Sequence, residues 1–504
     1  MGKESQAYSD VGQDRRSKVI FRLLLIVNTL IVLVPIWTVR YPGLADYPNH
    51  LARCYMIYHY DDVRIFHEKY RLLSEPVPNI ACDLVIPVFL NFFDPFVSGK
   101  LFLTLSALMF SLGIYLLSVT VSKRGDWIAA LMPFLFYCSQ FFWGLINYMF
   151  GVALFLIAFA LWYRWRNELN WWKVSSTALL TTMLYLAHLS AYVFMGVGCF
   201  SVLAVDAMCK KRAPSRWWLS LIPLVPGLLL YFGYMHGSGK VESWRELYWG
   251  GPGEKAVGLL SPFITYDYWL DAIGIAIASF AVICFLLRRK LQTIDQPLFF
   301  TAIIFVLLYF ACPSGLFGSW GADVRFIIPG LILFLVSLHL TASRRLSRTL
   351  FLLELAVLIA RVVFVEVRWQ QNSGEIAADV ELMTKVKSQS AICPVYDNLD
   401  VFSAKQRRLF NTITSYAVIL RNVYDVKTFE SPGRFMLRNP EHLPKVGELA
   451  LASQAGWDSL FSQVDYFWAY RPMPKFKDEL RTHCILMGTA PNSELWVRKD
   501  LAPH

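Results

Sequence analysis

Apolar stretches of about 18–22 residues recur along the chain, each long enough to cross roughly 30 Å of hydrocarbon. The first, "VIFRLLLIVNTLIVLVPIWTV" (19–39), follows Arg15, Arg16 and Lys18. It is too long for a signal-peptide core and no small-residue cleavage site follows it, so it reads as an anchored helix. Ten more runs occupy approximately 97–121, 127–142, 148–163, 172–189, 191–208, 217–235, 268–287, 297–312, 326–342 and 349–366. Basic residues gather at Lys123/Arg124, Arg164/Arg166/Lys173, Lys210/Lys211/Arg212/Arg216, Arg288/Arg289/Lys290 and Arg344/Arg345/Arg348. With the N-terminal group, these six clusters fall on one side of an eleven-span arrangement. Short loops rich in Lys and Arg stay cytoplasmic, so the chain is expected to run N-in and C-out.

Composition agrees. The 504 residues are 56% hydrophobic and 17% charged, against roughly 45–50% and 25% for soluble domains. The net charge of +11 follows from topology. No basic stripe or RNA-binding motif accompanies it, so nucleic acid is not an expected partner. The nine cysteines show no CxxC pair or other zinc spacing. Cys138, Cys199, Cys209 and Cys284 fall in or beside apolar runs, where cysteine acts as a small hydrophobe. Cys54 with Cys82, and Cys393 with Cys484, are pairs on the outer side that an oxidising compartment could bridge.

Three parts result: a cytoplasmic tail (1–18), a transmembrane domain (19–366) and an extracytoplasmic α/β cap (367–504). The transmembrane part carries a long first outer loop (41–96) and a second outer loop (236–267). In the first, "DLVIPVFLNFF" (83–93) is too short to span and is expected along the interface. In the cap, "GEIAADVELMTKVKS" (374–388) reads as an amphipathic helix. "AICPVY" (391–396), "VDYFWAY" (464–470) and "CILMG" with "SELWVRK" (484–499) read as strands, the last two joined at "TAPN".

The outer side carries the candidate chemistry. "YPGLADYPNHLARCY" (41–55) places Asp46, His50 and Arg53 at i, i+4, i+7, one face of a helix starting near Pro48. One reading makes Asp46 the cap of that helix. The other takes it as an acid held at the membrane boundary, where desolvation raises basicity, able to deprotonate a hydroxyl attacking an activated sugar. The loop also holds His59, Asp61, Asp62, His67, Glu68 and Asp83, residues usually just solvated. A divalent metal here would take Asp46 and His50 as ligands.

"SWGADVRFIIPG" (319–330) sets Arg325 at the outer end of an apolar run, suited to a lipid-linked phosphate. Its ordinary alternative is snorkelling or pairing with Asp323. His188, at a tight helix hairpin, reads first as a packing histidine. Gln140, Trp143, Asn147 and Tyr148 suit a sugar pocket or an interfacial aromatic belt equally. The loop with Glu242, Arg245 and Glu246 suits a substrate lid or a structural turn, and "GGPGEK" lacks the phosphate-loop pattern.

This order of parts resembles the GT-C superfamily of polytopic glycosyltransferases, which take sugars from polyprenyl-phosphate carriers on the non-cytoplasmic face. An acid follows the first span in "LADYPNH", and an arginine and proline open a late span in "DVRFIIPG". The resemblance implies Asp46 as catalytic acid of the first loop and Arg325 as a carrier-phosphate ligand. Many members carry a paired-acid DxD, ExD or DE signature; here His50 stands four residues beyond a single Asp46.

The expected activity is inverting transfer to a lipid or glycan hydroxyl, with Asp46 as general base. His50, Arg53, Asn147, His188, Arg245, Asp323 and Arg325 are the substrate-binding candidates, and Arg53 or Arg245 would assist Arg325. No particular cofactor is indicated by the sequence, and a divalent metal is the one candidate. Membrane lipids are partners, and a bacterial inner membrane is the expected site. The rivals are a lipid or polysaccharide-intermediate transporter, for which Asn28, Glu354 and Arg361 within spans speak, and a non-catalytic envelope-assembly protein.

Overall fold

The structure, a computed structural model, describes residues 2–73, 75–122, 127–209, 217–237, 247–265, 268–287, 291–316, 319–340, 344–396, 412–426, 428, 436–438, 454–472 and 474–502. Arg245, Glu242 and Glu246 lie outside the described residues, as do the basic groups at 123–124, 210–216 and 288–290.

The apolar runs are helical, which lets each satisfy its own backbone in hydrocarbon. Helices α1 (Gly2–Thr38), α2 (Tyr47–Tyr58), α3 (Ala81–Leu90), α4 (Pro95–Ser122), α5 (Ile146–Trp165), α6 (Trp171–Ala187) and α7 (Leu189–Met208) come first. Then follow α8 (Val225–Gly237), α9 (Pro252–Leu259), α10 (Tyr268–Leu287), α11 (Gln296–Ala311), α12 (Ile327–Ser337) and α13 (Arg344–Met383). Among the described residues, five helical segments are long and apolar enough to cross a membrane: Lys18–Thr38, Pro95–Ser122, Ile146–Trp165, Leu189–Met208 and Trp217–His236. The chain is a multi-pass membrane protein.

Several runs are less regular than the eleven spans expected. The run 127–142 breaks into Trp127–Leu131, a 3-10 turn Met132–Phe136 and Ser139–Phe142. Pro133 sits at the start of that turn, where its missing N–H prevents continuation of the preceding helix. The run 326–342 ends early: Leu338–Leu340 is extended and pairs antiparallel with Leu291–Ile294. In contrast, the last span does not stop at residue 366. Helix α13 continues unbroken for 40 residues, about 60 Å, and absorbs most of the amphipathic segment expected to begin the cap. The buried Trp369 and Asn372 anchor the junction, and Ser373 Oγ accepts a bond from the Tyr41 amide at 3.2 Å.

The cap is a five-stranded sheet. Strands β1 (Ala391–Tyr396), β2 (Tyr424–Asp425), β3 (Tyr466–Tyr470), β4 (Cys484–Ala490) and β5 (Ser493–Arg498) lie in the order β4-β5-β3-β1-β2. Strand β1 is parallel to both its neighbours, whereas β3, β5 and β4 run antiparallel. This order corrects one expectation. Cys393 on β1 and Cys484 on β4 are separated by β3 and β5, about 14 Å at the usual strand spacing. A disulfide needs Cα atoms closer than about 7 Å, so this pair cannot bridge.

The cap rests on the first loop. Tyr41 packs on Tyr416 with ring centroids 5.2 Å apart, Tyr55 donates to Asn422 Oδ1 at 3.0 Å, and Arg71–Leu72 pairs with Leu437–Arg438. Beneath the sheet, Asp379 of α13 accepts from Trp468 Nε1 at 3.3 Å and from the Ser493 hydroxyl. Burial outweighs these bonds and raises its carboxyl to about 6. The folded state therefore holds this proton more tightly than the unfolded chain, so its contribution to stability falls as pH rises from about 4 to about 6. Asp379→Asn should remove that segment of the pH dependence. The difference between wild-type and variant Tm profiles over this range measures it; parallel profiles would refute it.

Candidate active site

Asp46 occupies the position that precedes α2, with φ −94° and ψ −1°, and its side chain caps no amide. An N-cap side chain reaches the helix amides from an extended backbone; this backbone is not extended, so the capping reading fails. Two backbone bonds fix the residue instead. The Ala45 amide donates to Phe142 O at 3.1 Å and the Asp46 amide to Trp143 O at 3.2 Å. The turn they grip contains Gly144 at φ +80°, where an added Cβ would lie 2.5 Å from the Asp46 nitrogen. Gly144→Ala is therefore expected to cost about 1–3 kcal/mol in strain. By displacing Asp46 it should also lower activity by about 10²-fold, measured as kcat/KM at matched membrane levels.

The Asp46 carboxylate is half-buried and makes no hydrogen bond or ion pair among the described residues. Burial without a compensating partner pushes its pKa up to about 7. A carboxylate poised near neutrality and open on one side is suited to receive a proton.

From Asp46, contacts lead to the second candidate segment. Trp143 lies against Trp320 with ring centroids 4.9 Å apart, and Arg325 Nη2 points at Trp320 O from 3.4 Å. The Tyr148 hydroxyl donates to Arg325 O at 2.7 Å, Gln140 Nε2 donates to Val324 O at 3.1 Å, and the Tyr148 ring stands 5.6 Å from that of His188. Asp46, Trp143, Tyr148, His188, Trp320 and Arg325 thus share one region on the cap side.

Asp323 does not serve Arg325. Its Oδ2 accepts from Lys255 Nζ at 2.6 Å and Ser314 Oγ at 2.7 Å, and its Oδ1 accepts from the Val324 amide. Lys255 also donates to Tyr309 O and Cys312 O at 3.2 and 2.8 Å. The lysine of "GGPGEK" is therefore a buried post for the loop that carries Arg325. Its partner lies 68 residues away, and no local pattern could have announced it.

The other candidates face inward. Arg53 is wholly buried, with Nη2 2.8 Å from Asp83 Oδ1 and 3.2 Å from Cys82 Sγ. His50 Nδ1 lies 3.9 Å from Cys82 Sγ, and burial with the nearby Arg53 holds its pKa well below the usual range. Asn147 accepts from the Cys82 amide at 2.8 Å and donates to Asn79 O at 2.6 Å, tying α5 to the start of α3. His188 caps α7 by accepting from the Ser190 amide at 3.1 Å. Among the described residues, three metal-ligating atoms converge within 4.8 Å at Cys54, Cys82 and Asp83; neither Asp46 nor His50 belongs to that group. Arg361 of α13 turns to Asp271 at 3.6 Å and donates to Phe263 O at 2.8 Å.

Fold and site together define a class: a multi-pass helical membrane protein with an α/β cap, in which an unpaired acid after the first helix is linked through Trp143 and Trp320 to an arginine. Among solved structures, the chain is similar to ArnT from Cupriavidus metallidurans, whose crystal structure has undecaprenyl phosphate bound. The two share 10% sequence identity at a TM-score of 0.51, over 96% of this chain and 99% of that one. The likeness is one of fold: the chain shares the overall architecture of that structure. No protein-family profile matches the sequence, and no curated protein matches it.

Proposed function

We propose that the protein transfers a sugar from a polyprenyl-phosphate-linked donor to an acceptor hydroxyl on the cap side, taken as the extracytoplasmic face of a bacterial inner membrane. The observation that carries this reading is the Asp46 carboxylate, half-buried, unpartnered and raised to about 7. Asp46 takes the hydroxyl proton as the oxygen attacks the anomeric carbon. The bond from that carbon to the phosphate oxygen breaks, and the sugar inverts. Arg325 stabilises the polyprenyl phosphate as it leaves, the kind of electrostatic assistance that often contributes most to catalysis. The shared fold supports this, since the ArnT structure holds undecaprenyl phosphate. A divalent cation held by Asp46 and His50 would require the imidazole to leave Cys82 and turn to the carboxylate. The general-base role requires no such rearrangement.

The test compares a strain lacking the gene with the same strain carrying it, profiling polyprenyl-phosphate-linked sugars by mass spectrometry. One lipid-linked sugar should accumulate without the gene and fall on its return, identifying the donor. An unchanged set of lipid-linked sugars would refute transfer. A sugar lipid that only changes leaflet would favour transport.

A further inference from the structure

Two thiols of the first loop play no part in the chemistry above. Cys54 lies on α2 and Cys82 on α3, both fully buried. Their sulfurs and an Asp83 carboxylate oxygen fall within 4.8 Å of one another. Asp83 Oδ1 lies 3.3 Å from Cys82 Sγ and 3.6 Å from Cys54 Sγ. We propose that Cys54 and Cys82 form a disulfide in the mature protein, one that clamps α2, and with it Asp46, to α3. This rests on the reading that the cap side faces an oxidising compartment.

The same atoms could be asked to hold a soft metal ion, but the surroundings favour the cross-link. Asp83 Oδ1 accepts from Arg53 Nε at 2.9 Å and lies 2.8 Å from Arg53 Nη2 in an ion pair, and Arg53 Nη2 donates to Cys82 Sγ at 3.2 Å. Among the described residues Asp83 Oδ2 has no hydrogen-bond partner, but the Arg53 guanidinium already balances the carboxylate's charge, so a dication there would face a buried like charge. A disulfide needs no ligand from Asp83, only that the two sulfurs, already within 4.8 Å of each other, close to about 2.05 Å.

The bond forms by thiol–disulfide exchange with a protein disulfide oxidant of that compartment. One thiol, as its thiolate, attacks the donor disulfide and displaces one donor thiolate. The second thiolate attacks the mixed disulfide and displaces the other. Two electrons pass to the donor, and the two protons of the cysteines end on its thiols. Both sulfurs are inaccessible once the loop has folded, so the exchange precedes docking of α2 on α3. The product closes the segment between the two cysteines and restricts the unfolded chain.

The full-length protein, extracted from native membranes, is denatured in N-ethylmaleimide without reductant, digested and analysed by mass spectrometry. The expected result is a linked pair of peptides, two hydrogen atoms lighter than their sum, with Cys54 and Cys82 alkylated only after reduction. Cys393 and Cys484, held two strands apart, should alkylate without reductant and serve as internal controls. Cys54→Ser should abolish the linked peptide and leave Cys82 reactive. Full alkylation of Cys54 and Cys82 without reductant, or protection lifted by a chelator instead of a reductant, would overturn the proposal. A cysteine introduced at the exposed cap position by Glu381→Cys, probed with an impermeant maleimide on intact spheroplasts, reports sidedness. Outside labelling with a free pair sinks the cross-link alone; no outside labelling sinks the sidedness reading and the cross-link together.

Discussion

Asp46→Asn is expected to lower sugar transfer by about 10²–10⁴-fold, the usual contribution of a positioned general base, while membrane levels stay equal to wild type. The amide keeps the size of the carboxyl but cannot take a proton. Because wild-type Asp46 has a pKa near 7, kcat/KM should fall about tenfold per unit as pH drops below 7, and level off above it. The variant should lack that limb. Stability should move the other way. Burial disfavours the ionised form, so the folded state gives up stability as pH rises from about 4 through about 7. Replacing the acid should leave Tm unchanged at low pH and raise it above neutrality. Loss of activity accompanied by loss of Tm would instead make Asp46 a structural residue, and equal activity of both proteins would remove it from the mechanism.

Asp83→Ala should produce the largest loss of stability, about 3–5 kcal/mol, because it strands Arg53 as a buried charge without its counterion. Both side chains of this pair are fully inaccessible, with Nη2 and Oδ1 2.8 Å apart. Removing the pair together should be far milder, since apolar groups of similar volume avoid the desolvation cost on both sides. Arg53→Met with Asp83→Leu should recover much of the Tm lost by Asp83→Ala alone. A thermal-shift series in detergent reads this directly. A double variant as unstable as the single one would show that the arginine contributes through other contacts.

The pair also shows what a linear pattern can hide. His50 and Arg53 lie on α2, as their spacing predicted, whereas Asp46 stands just before it. Closeness in sequence did not give the three a shared task. Asp46 sits at the helix start against the Trp143–Gly144 turn, whereas His50 and Arg53 point at Cys82 and Asp83 of α3. Nothing in "YPGLADYPNHLARCY" reveals α3, because Asp83 lies 30 residues beyond Arg53. Arg325 and Asp323 repeat the lesson. Their closeness in sequence suggested a pair, yet Asp323 belongs to Lys255.

The sequence by itself marked which segments are apolar enough to cross a membrane, and among the described residues five of them form helices long enough to do so. Runs such as 97–121 and 148–163 carry that information in their length and composition, and hydrocarbon leaves a helix almost the only way to satisfy the backbone. The cap strands were legible for the related reason that alternation and turn residues act locally, and the "TAPN" turn joins β4 to β5 as expected. Only the tertiary structure decided which charges are matched and which acid stays alone. Burial energies depend on partners that chain folding brings from afar, as with Lys255 and Asp323 across 68 residues. Asp46 has a pKa near 7 because no such partner reaches it, and that is a property of the packed loop, turn and cap rather than of any motif.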